Sequence, residues 1–333
     1  MAIVGHFANL AEAQKLVQSQ LLAGVVQETY EEGQLLQKLP VLVINAKSLL
    51  YNRESTLPSA AFYDIHESLP WSSDVDYATQ VEVTLKTIAR QDILDEYIMK
   101  TYKNPNDYRS IVMSQLRKGI MRTLEDKMVY GDATTYTKEF DGLDKLCAAS
   151  GGSTFGTAQD YDQGGATNGV SFAIMQNLIT QCKPKPDVLL MTNTLANRIT
   201  NAVWTGINAN VNTGLVSYGQ NQFGMRVEYF NGIPILRSDF LSTENDNTGG
   251  YLASGDLVSM YAVRFGQVQD GGLCMIVGGD TGGVEFFKMV ELEALEDYLA
   301  AGIRLYAFCA LALGSTKAIS RIHSIDQTVA VAA

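Results

Sequence analysis

"NPNDYRSIVMSQLRKGIMRTLEDKMVYG", Asn104 to Gly131, is the stretch on which the fold turns. Asn104 has the short polar side chain of an N-cap, Pro105 brings the fixed φ of a first helical turn, and Asp107 sits where the helix dipole favours an anion. Tyr108, Val112, Leu116, Ile120, Leu124 and Met128 then recur at every fourth position, with Ile111 and Met121 widening the stripe until Gly131 stops it. Arg109, Arg117, Lys118, Arg122, Glu125 and Asp126 cover the rest of the surface. At 1.5 Å per residue, a helix over 104–131 is on the order of 40 Å long. It predicts a spine along which other elements are laid.

Upstream, Asn9 and Glu12 form a capping box, and Leu10, Ala13, Val17, Leu21 and Val25 follow on one helical face until Gly33, which predicts an amphipathic N-terminal arm over 1–33. "PVLVINA" from Pro40 reads as a short buried strand. Val81, Val83 and Leu85 alternate with Glu82, Thr84 and Lys86 as a second. Between them lies "YNRESTLPSAAFYDIHESLPWSSDVDYA", Tyr51 to Ala78, without helical or strand period and carrying Leu57, Phe62, Tyr63, Leu69 and Trp71. An irregular loop this long is uncommon in a compact domain unless it has a task outside it.

Downstream, the Gly, Ser and Thr-rich run Ala148 to Gly169 marks the clearest internal boundary. Beyond it the pattern predicts an α+β unit over 151–283: a helix near Val170–Cys182, a strand "PDVLLM", a helix capped by Thr192, and a hairpin turning at Asn231-Gly232. "VEFFKMVELEAL" and "RLYAFCALALGSTKAISRIHSI" are then expected to rejoin the sheet begun before the boundary, so that 284–333 returns to the first unit and the second is an insertion.

Composition narrows the function. The 333 residues exceed the usual size of one core, and only 18% are charged, which favours surface hidden against partners. A net charge of −11 with 25 thinly spread basic residues argues against a gripped nucleic acid. The N-terminus has no secretory-signal pattern, and the longest apolar run, "LYAFCALALG", is about half of a roughly 20-residue membrane span, so a soluble intracellular protein is expected. Cys147, Cys182, Cys274 and Cys309 form no C-x-x-C pair and read as buried reduced thiols. Paired carboxylates at Asp74/Asp76, Glu291/Glu293 and Glu296/Asp297 have no histidine spaced to join them. His6, His66 and His323 sit in no catalytic frame, and "GGDTGG" (Gly278–Gly283) matches no phosphate-binding loop. No catalytic, cofactor-binding or metal site is therefore assigned.

The order of elements resembles the major capsid proteins of tailed phages, with the fold called the Hong Kong 97 type. "VYGDATTYTKEFDGLDKL" is similar to the family's Gly-Asp followed by a Phe-x-Gly-Leu turn, here Phe140, Gly142 and Leu143. "VLLMTNTLANRI" resembles its strand and capped helix, and "FNGIPILRSDFL" its Gly-Ile-Pro strand, here Gly232, Ile233 and Pro234. The resemblance implies an N-terminal arm (1–33), an extension loop (51–78) over a neighbouring subunit, a peripheral domain (34–50 and 79–150, with return 284–333) and an axial domain (151–283). It names Leu57, Phe62, Tyr63, Leu69, Trp71, Leu10, Val17 and Leu21 as inter-subunit contact candidates. The expected assembly is pentamers and hexamers closing an icosahedral shell around double-stranded DNA, with a portal, a separate scaffolding protein or a longer precursor, and decoration proteins as partners. The expected location is the virion, assembled in the host cytoplasm. Some family members crosslink through an extension-loop lysine; no lysine lies between Ser48 and Leu85, so no such bond is expected here. The rivals are an encapsulin-like bacterial nanocompartment and, from another class, a cytoplasmic α+β enzyme whose residues converge only in space; the alternative for the loop itself is a lid folded back on its own domain.

Overall fold

The computed structural model describes residues 33–54, 59–69, 71, 79–95, 108–148, 159–164, 169–204, 216–220, 226–241, 257–279, 287–292, 300–329 and 331. The N-terminal helix with Leu10, Val17 and Leu21, the Asn104 cap and Leu57 lie outside them. Two compact units are formed. One draws its described residues from Arg90–Gly119 and Met289–Leu305, the other from Glu31–Ala89, Ile120–Lys288 and Tyr306–Ala333.

Among the described residues the strands form two larger sheets and a two-stranded ribbon. In the first, β1 (Val41–Ile44) runs parallel to β11 (Leu273–Gly278), and β11 is antiparallel to β13 (Ala300–Leu313) through Cys309–Leu313. β12 (Lys288–Leu292) and β4 (Lys86–Asp95) also pair with β13. Along β11 the two-residue period sends Leu273, Met275 and Val277 into one buried cluster and Cys274 and Ile276 into another, so both faces are covered.

The second sheet has seven strands in the order β5 (Asp160–Asp162), β14 (Ile319–Asp326), β10 (Leu257–Val263), β6 (Val188–Met191), β9 (Ile233–Arg237), β8 (Arg226–Phe230), β7 (Val216–Gln220). Every residue of β6 and β10 is buried, because each strand serves two cores. Leu189, Met191, Val258 and Met260 face α4 (Phe172–Gln181) and α5 (Asn193–Trp204), whose Met175, Leu178, Leu195 and Ile199 complete that cluster. Val188, Leu190, Tyr261 and Val263 join the main cluster with the first sheet. Such doubly covered strands read as continuous apolar runs, as "VLLM" does. Ser171 and Thr192 cap the two helices, their hydroxyls accepting from Ile174 N at 3.2 Å and Leu195 N at 3.2 Å. The β8–β9 hairpin turns at Asn231 (φ 49°) and Gly232 (φ 75°), the paired left-handed conformations that an Asn-Gly turn adopts.

The spine is α2 (Tyr108–Tyr130), 23 residues long. In the larger unit its Leu124, Met128 and Val129 are buried with Leu35 of α1 (Leu35–Lys38) and Leu143 of α3 (Leu143–Ala148). In the smaller unit Val112 and Leu116 pack on Ile303. The helix ends where two backbones touch. Gly131 N donates to Lys127 O (2.9 Å) and Gly142 N to Gly131 O (2.8 Å), while a Cβ on Gly142 would stand 2.6 Å from Val129 O. This contact is the physical content of the Gly-Asp and Phe-x-Gly-Leu strings.

Two strands depart from the expected division. β11, placed by the sequence in the inserted unit, pairs with β1. The segment expected to rejoin the first sheet whole splits at Gly314: β13 stays there, while β14 crosses to the second sheet and pairs with β10 and β5. A strand buried on both faces carries no pattern that names its partner.

Candidate functional site

β2 (Ser48–Arg53) and β3 (Thr79–Thr84) form an antiparallel ribbon with Tyr51 opposite Val81 and Arg53 opposite Thr79. The irregular excursion therefore begins at Glu54 rather than Tyr51. On β2, Leu49, Tyr51 and Arg53 are partly buried and Leu50 and Asn52 exposed, the alternation of a ribbon lying with one face on the protein. Leu49, Val83 and Leu85 pack on Cys274, Ile276 and Ala312. Tyr51 Oη donates to Leu313 O (2.6 Å), Arg53 Nε to Gly314 O (2.9 Å) and Arg53 Nη2 to Leu313 O (2.5 Å).

Beyond this root the described residues, 59–69 and 71, are all exposed and have neither helix nor strand. Phe62 and Trp71 are fully exposed, and Leu69 (69%) and Tyr63 (41%) largely so. Four of the eight contact candidates thus stand on the surface of one segment; Leu57, Leu10, Val17 and Leu21 lie outside the described residues. Ile65, at 88% exposure, belongs with them. The sequence reading passed over it, though its two-residue spacing from Tyr63 was the available signal. A turn at Asp64–Glu67, with Glu67 N donating to Asp64 O (3.1 Å) and His66 at φ 72°, displays these side chains. In the smaller unit Met289, Val290 and Leu292 on β12 are also 37–47% exposed.

A polar cluster lies inside the second sheet. His323 Nδ1 stands 3.1 Å from Asp160 Oδ1 and its Nε2 3.7 Å from Asp162 Oδ1. Arg321 pairs with Asp144, lies 3.8 Å from Asp160 Oδ2, and covers the Tyr261 ring. All of Asp160, Arg321 and His323 are buried. Sequence spacing could not reveal this group, since Asp160 and His323 are 163 residues apart. Both ring nitrogens of His323 face carboxylates of β5, so the cluster ties β14 to β5 through polar side chains. Among the described residues no group of three or more His, Cys, Asp or Glu is placed to hold a metal ion. The four cysteines are free and buried, and burial pushes the Cys182 and Cys309 thiols up to about 12. An open groove of about 660 Å³ is lined by Lys38, Glu228 and Arg237 among others, but Arg237 is held by Glu228 (2.7 Å) and Asn197 (2.8 Å). No described helix is long and apolar enough to cross a membrane.

No protein-family model and no curated protein sequence matches the chain. Solved structures do. The SrpI encapsulin complex of Synechococcus elongatus PCC 7942 superposes with TM-score 0.70 over 99% of this chain and 98% of that one, at 14% identity. The capsid of an empty GTA particle gives TM-score 0.65 over 97% and 99%, at 13% identity. Microbacterium phage Oxtober96 gives TM-score 0.62 over 96% and 99%, also at 13% identity. The chain has the Hong Kong 97-type fold. At such low identity the likeness concerns the course of the backbone, and the roles of side chains rest on their own geometry.

Proposed function

We propose that the chain is a major capsid protein that self-assembles through pentamers and hexamers into an icosahedral shell around double-stranded DNA. The observation that carries this is the full exposure of Phe62 and Trp71, with Ile65 and Leu69 largely exposed beside them, beyond the β2–β3 root. A single molecule leaves that apolar surface in water, and a neighbour removes it at roughly 25 cal/mol per Å². In this reading 51–78 is the extension loop, 1–33 the arm, and Leu57, Leu10, Val17 and Leu21 further contacts on neighbouring copies. The expected domains are the peripheral one (34–50, 79–150 and 284–333) and the axial one (151–283), with β11 going to the sheet of β1 and β14 to the sheet of β10. The −11 charge suits a container whose wall does not grip its DNA. The function needs no bond-making step: binding energy between copies does the work. A portal and a scaffolding or decoration protein are the partners this implies, and the virion is its place.

A second reading, an encapsulin-like compartment that encloses protein in place of a genome, is favoured by the match to the SrpI encapsulin complex. Electron microscopy of the expressed chain tests the common part: closed particles are expected, whereas uniform monomers or dimers under all solution conditions would overturn it. Deleting Ser55–Ser72 is expected to leave a soluble, folded subunit that forms no particles. Normal particles from that deletion would remove the loop from the interface.

A further inference from the structure

We propose that Tyr51 and Arg53 are positioning residues that fix the direction in which the projecting loop leaves the subunit; the proposal deepens the shell reading and rests on it for its consequence in assembly. Three hydrogen bonds from two side chains converge on two successive carbonyls at the end of β13, Leu313 O and Gly314 O, some 260 residues away in sequence. The two side chains also brace each other: Arg53 Nη2 donates to Tyr51 Oη (3.3 Å), and its guanidinium lies 5.6 Å from the Tyr51 ring centroid. Burial pushes the Tyr51 phenol above its usual value, so its hydroxyl stays a donor.

The receiving carbonyls belong to a closely packed, hydrogen-bonded stretch of backbone. Gly314 N donates to Gly272 O (2.9 Å) and Ser315 N to Gly271 O (3.0 Å). A Cβ on Gly314 would stand 2.4 Å from Val268 O, and one on Gly272 2.4 Å from Gly266 N. The segments approach so closely at these glycines that no side chain fits between them, and the two backbone hydrogen bonds tie them into one base. Toward β1 and β11 the ribbon is held by apolar contacts of Leu49, Val83 and Leu85, which are non-directional. The forked guanidinium and the phenol, farther out at the last turn of the ribbon before the loop, supply the directional bonds. Small angular changes there become large displacements at Phe62 and Trp71. A clamp of this kind gives every copy the same loop trajectory, and so the same docking geometry on its neighbour.

The test uses the full chain with spin labels on introduced cysteines at Ala61 and Gln176, both exposed, the four native thiols being buried. The parent is expected to give a narrow distance distribution. Arg53→Ala is expected to broaden it at least twofold while the urea midpoint changes little, Arg53→Lys to restore it only in part, and Tyr51→Phe to broaden it less. Particles of Arg53→Ala are expected to be mixed in diameter or absent by electron microscopy. An unchanged distance distribution in Arg53→Ala and Tyr51→Phe would overturn the clamp. Should Arg53→Ala fail to fold, Tyr51→Phe and Arg53→Lys carry the same comparison. If the parent itself formed no particles, the shell reading would fail, and the label distances would still decide the clamp.

Discussion

Asp160 carries more of this molecule than its place on a three-residue edge strand implies. Its carboxylate faces His323 on one oxygen and Arg321 on the other, all three buried, and removing one member leaves charge in a low-dielectric site. Asp160→Asn is expected to destabilise the subunit by about 3 kcal/mol, measured by urea unfolding. Glu125 works in the opposite sense. Its side chain is pressed against Gly33, where a Cβ would stand 1.1 Å from its Oε2, and burial pushes its pKa from 4.5 up to about 7. A carboxyl raised in the folded state contributes stability that is complete below about pH 4.5 and is lost as pH rises through about 7. Glu125→Gln should therefore stabilise the subunit at pH 8, by no more than about 1–2 kcal/mol once solvent screening is allowed for, with the gain shrinking toward zero by pH 5. Parallel unfolding curves at the two pH values check the sign.

Among the elements, the spine helix and its exit were legible from the chain, and the reasons are local. The four-residue recurrence of Val112, Leu116, Ile120, Leu124 and Met128 is the stripe that the packed protein buries. At Gly131, where the helix ends, Phe140 O lies 2.3 Å from where a Cβ would stand, so the position takes only glycine. Gly142→Ala is expected to cost about 2–4 kcal/mol, since three backbone atoms lie within 3 Å of the added methyl and none is the tip of a flexible side chain. Leu124→Ala, at a site with no exposure, should cost about 2–5 kcal/mol through the cavity it opens. Thermal unfolding measures both costs and amide exchange separates them: only the glycine change should also disturb exchange around residues 127–143. The projecting loop was legible for a different reason, the absence of any period in a stretch rich in large apolar residues. Its root was not, because Tyr51 and Arg53 find their partners on Leu313 and Gly314, beyond the reach of any local pattern.

At the scale of the whole molecule, the proposed shell makes the exposed segment the place where association is decided. Burying Phe62 and Trp71 on a neighbour is worth about 2 kcal/mol each, and 1.4 kcal/mol is tenfold in an equilibrium constant. The double substitution Phe62→Ala, Trp71→Ala is expected to raise the concentration needed for particle formation at least tenfold, by light scattering, while leaving the subunit's unfolding midpoint unchanged. Because the contact is apolar, added salt should not restore the parent's solubility, as it would for an interface held by charge. A lowered unfolding midpoint in the double variant would place the two aromatic rings inside the subunit's own energetics and against this account.

The chain by itself determined the elements whose cause is near in sequence: the spine helix and its glycine exit, the Thr192 cap, the Asn231-Gly232 turn, and the aperiodic loop. It also marked the apolar side chains of that loop, Ile65 excepted. Only the tertiary structure decided which sheet receives β11 and β14, how the loop's root is tied to the end of β13, and that Asp160 meets His323. The physical reason is common to all three. Side-chain period encodes which face of a strand or helix is buried, whereas partner choice among doubly buried strands, and bonds to backbone carbonyls, depend on groups every residue carries.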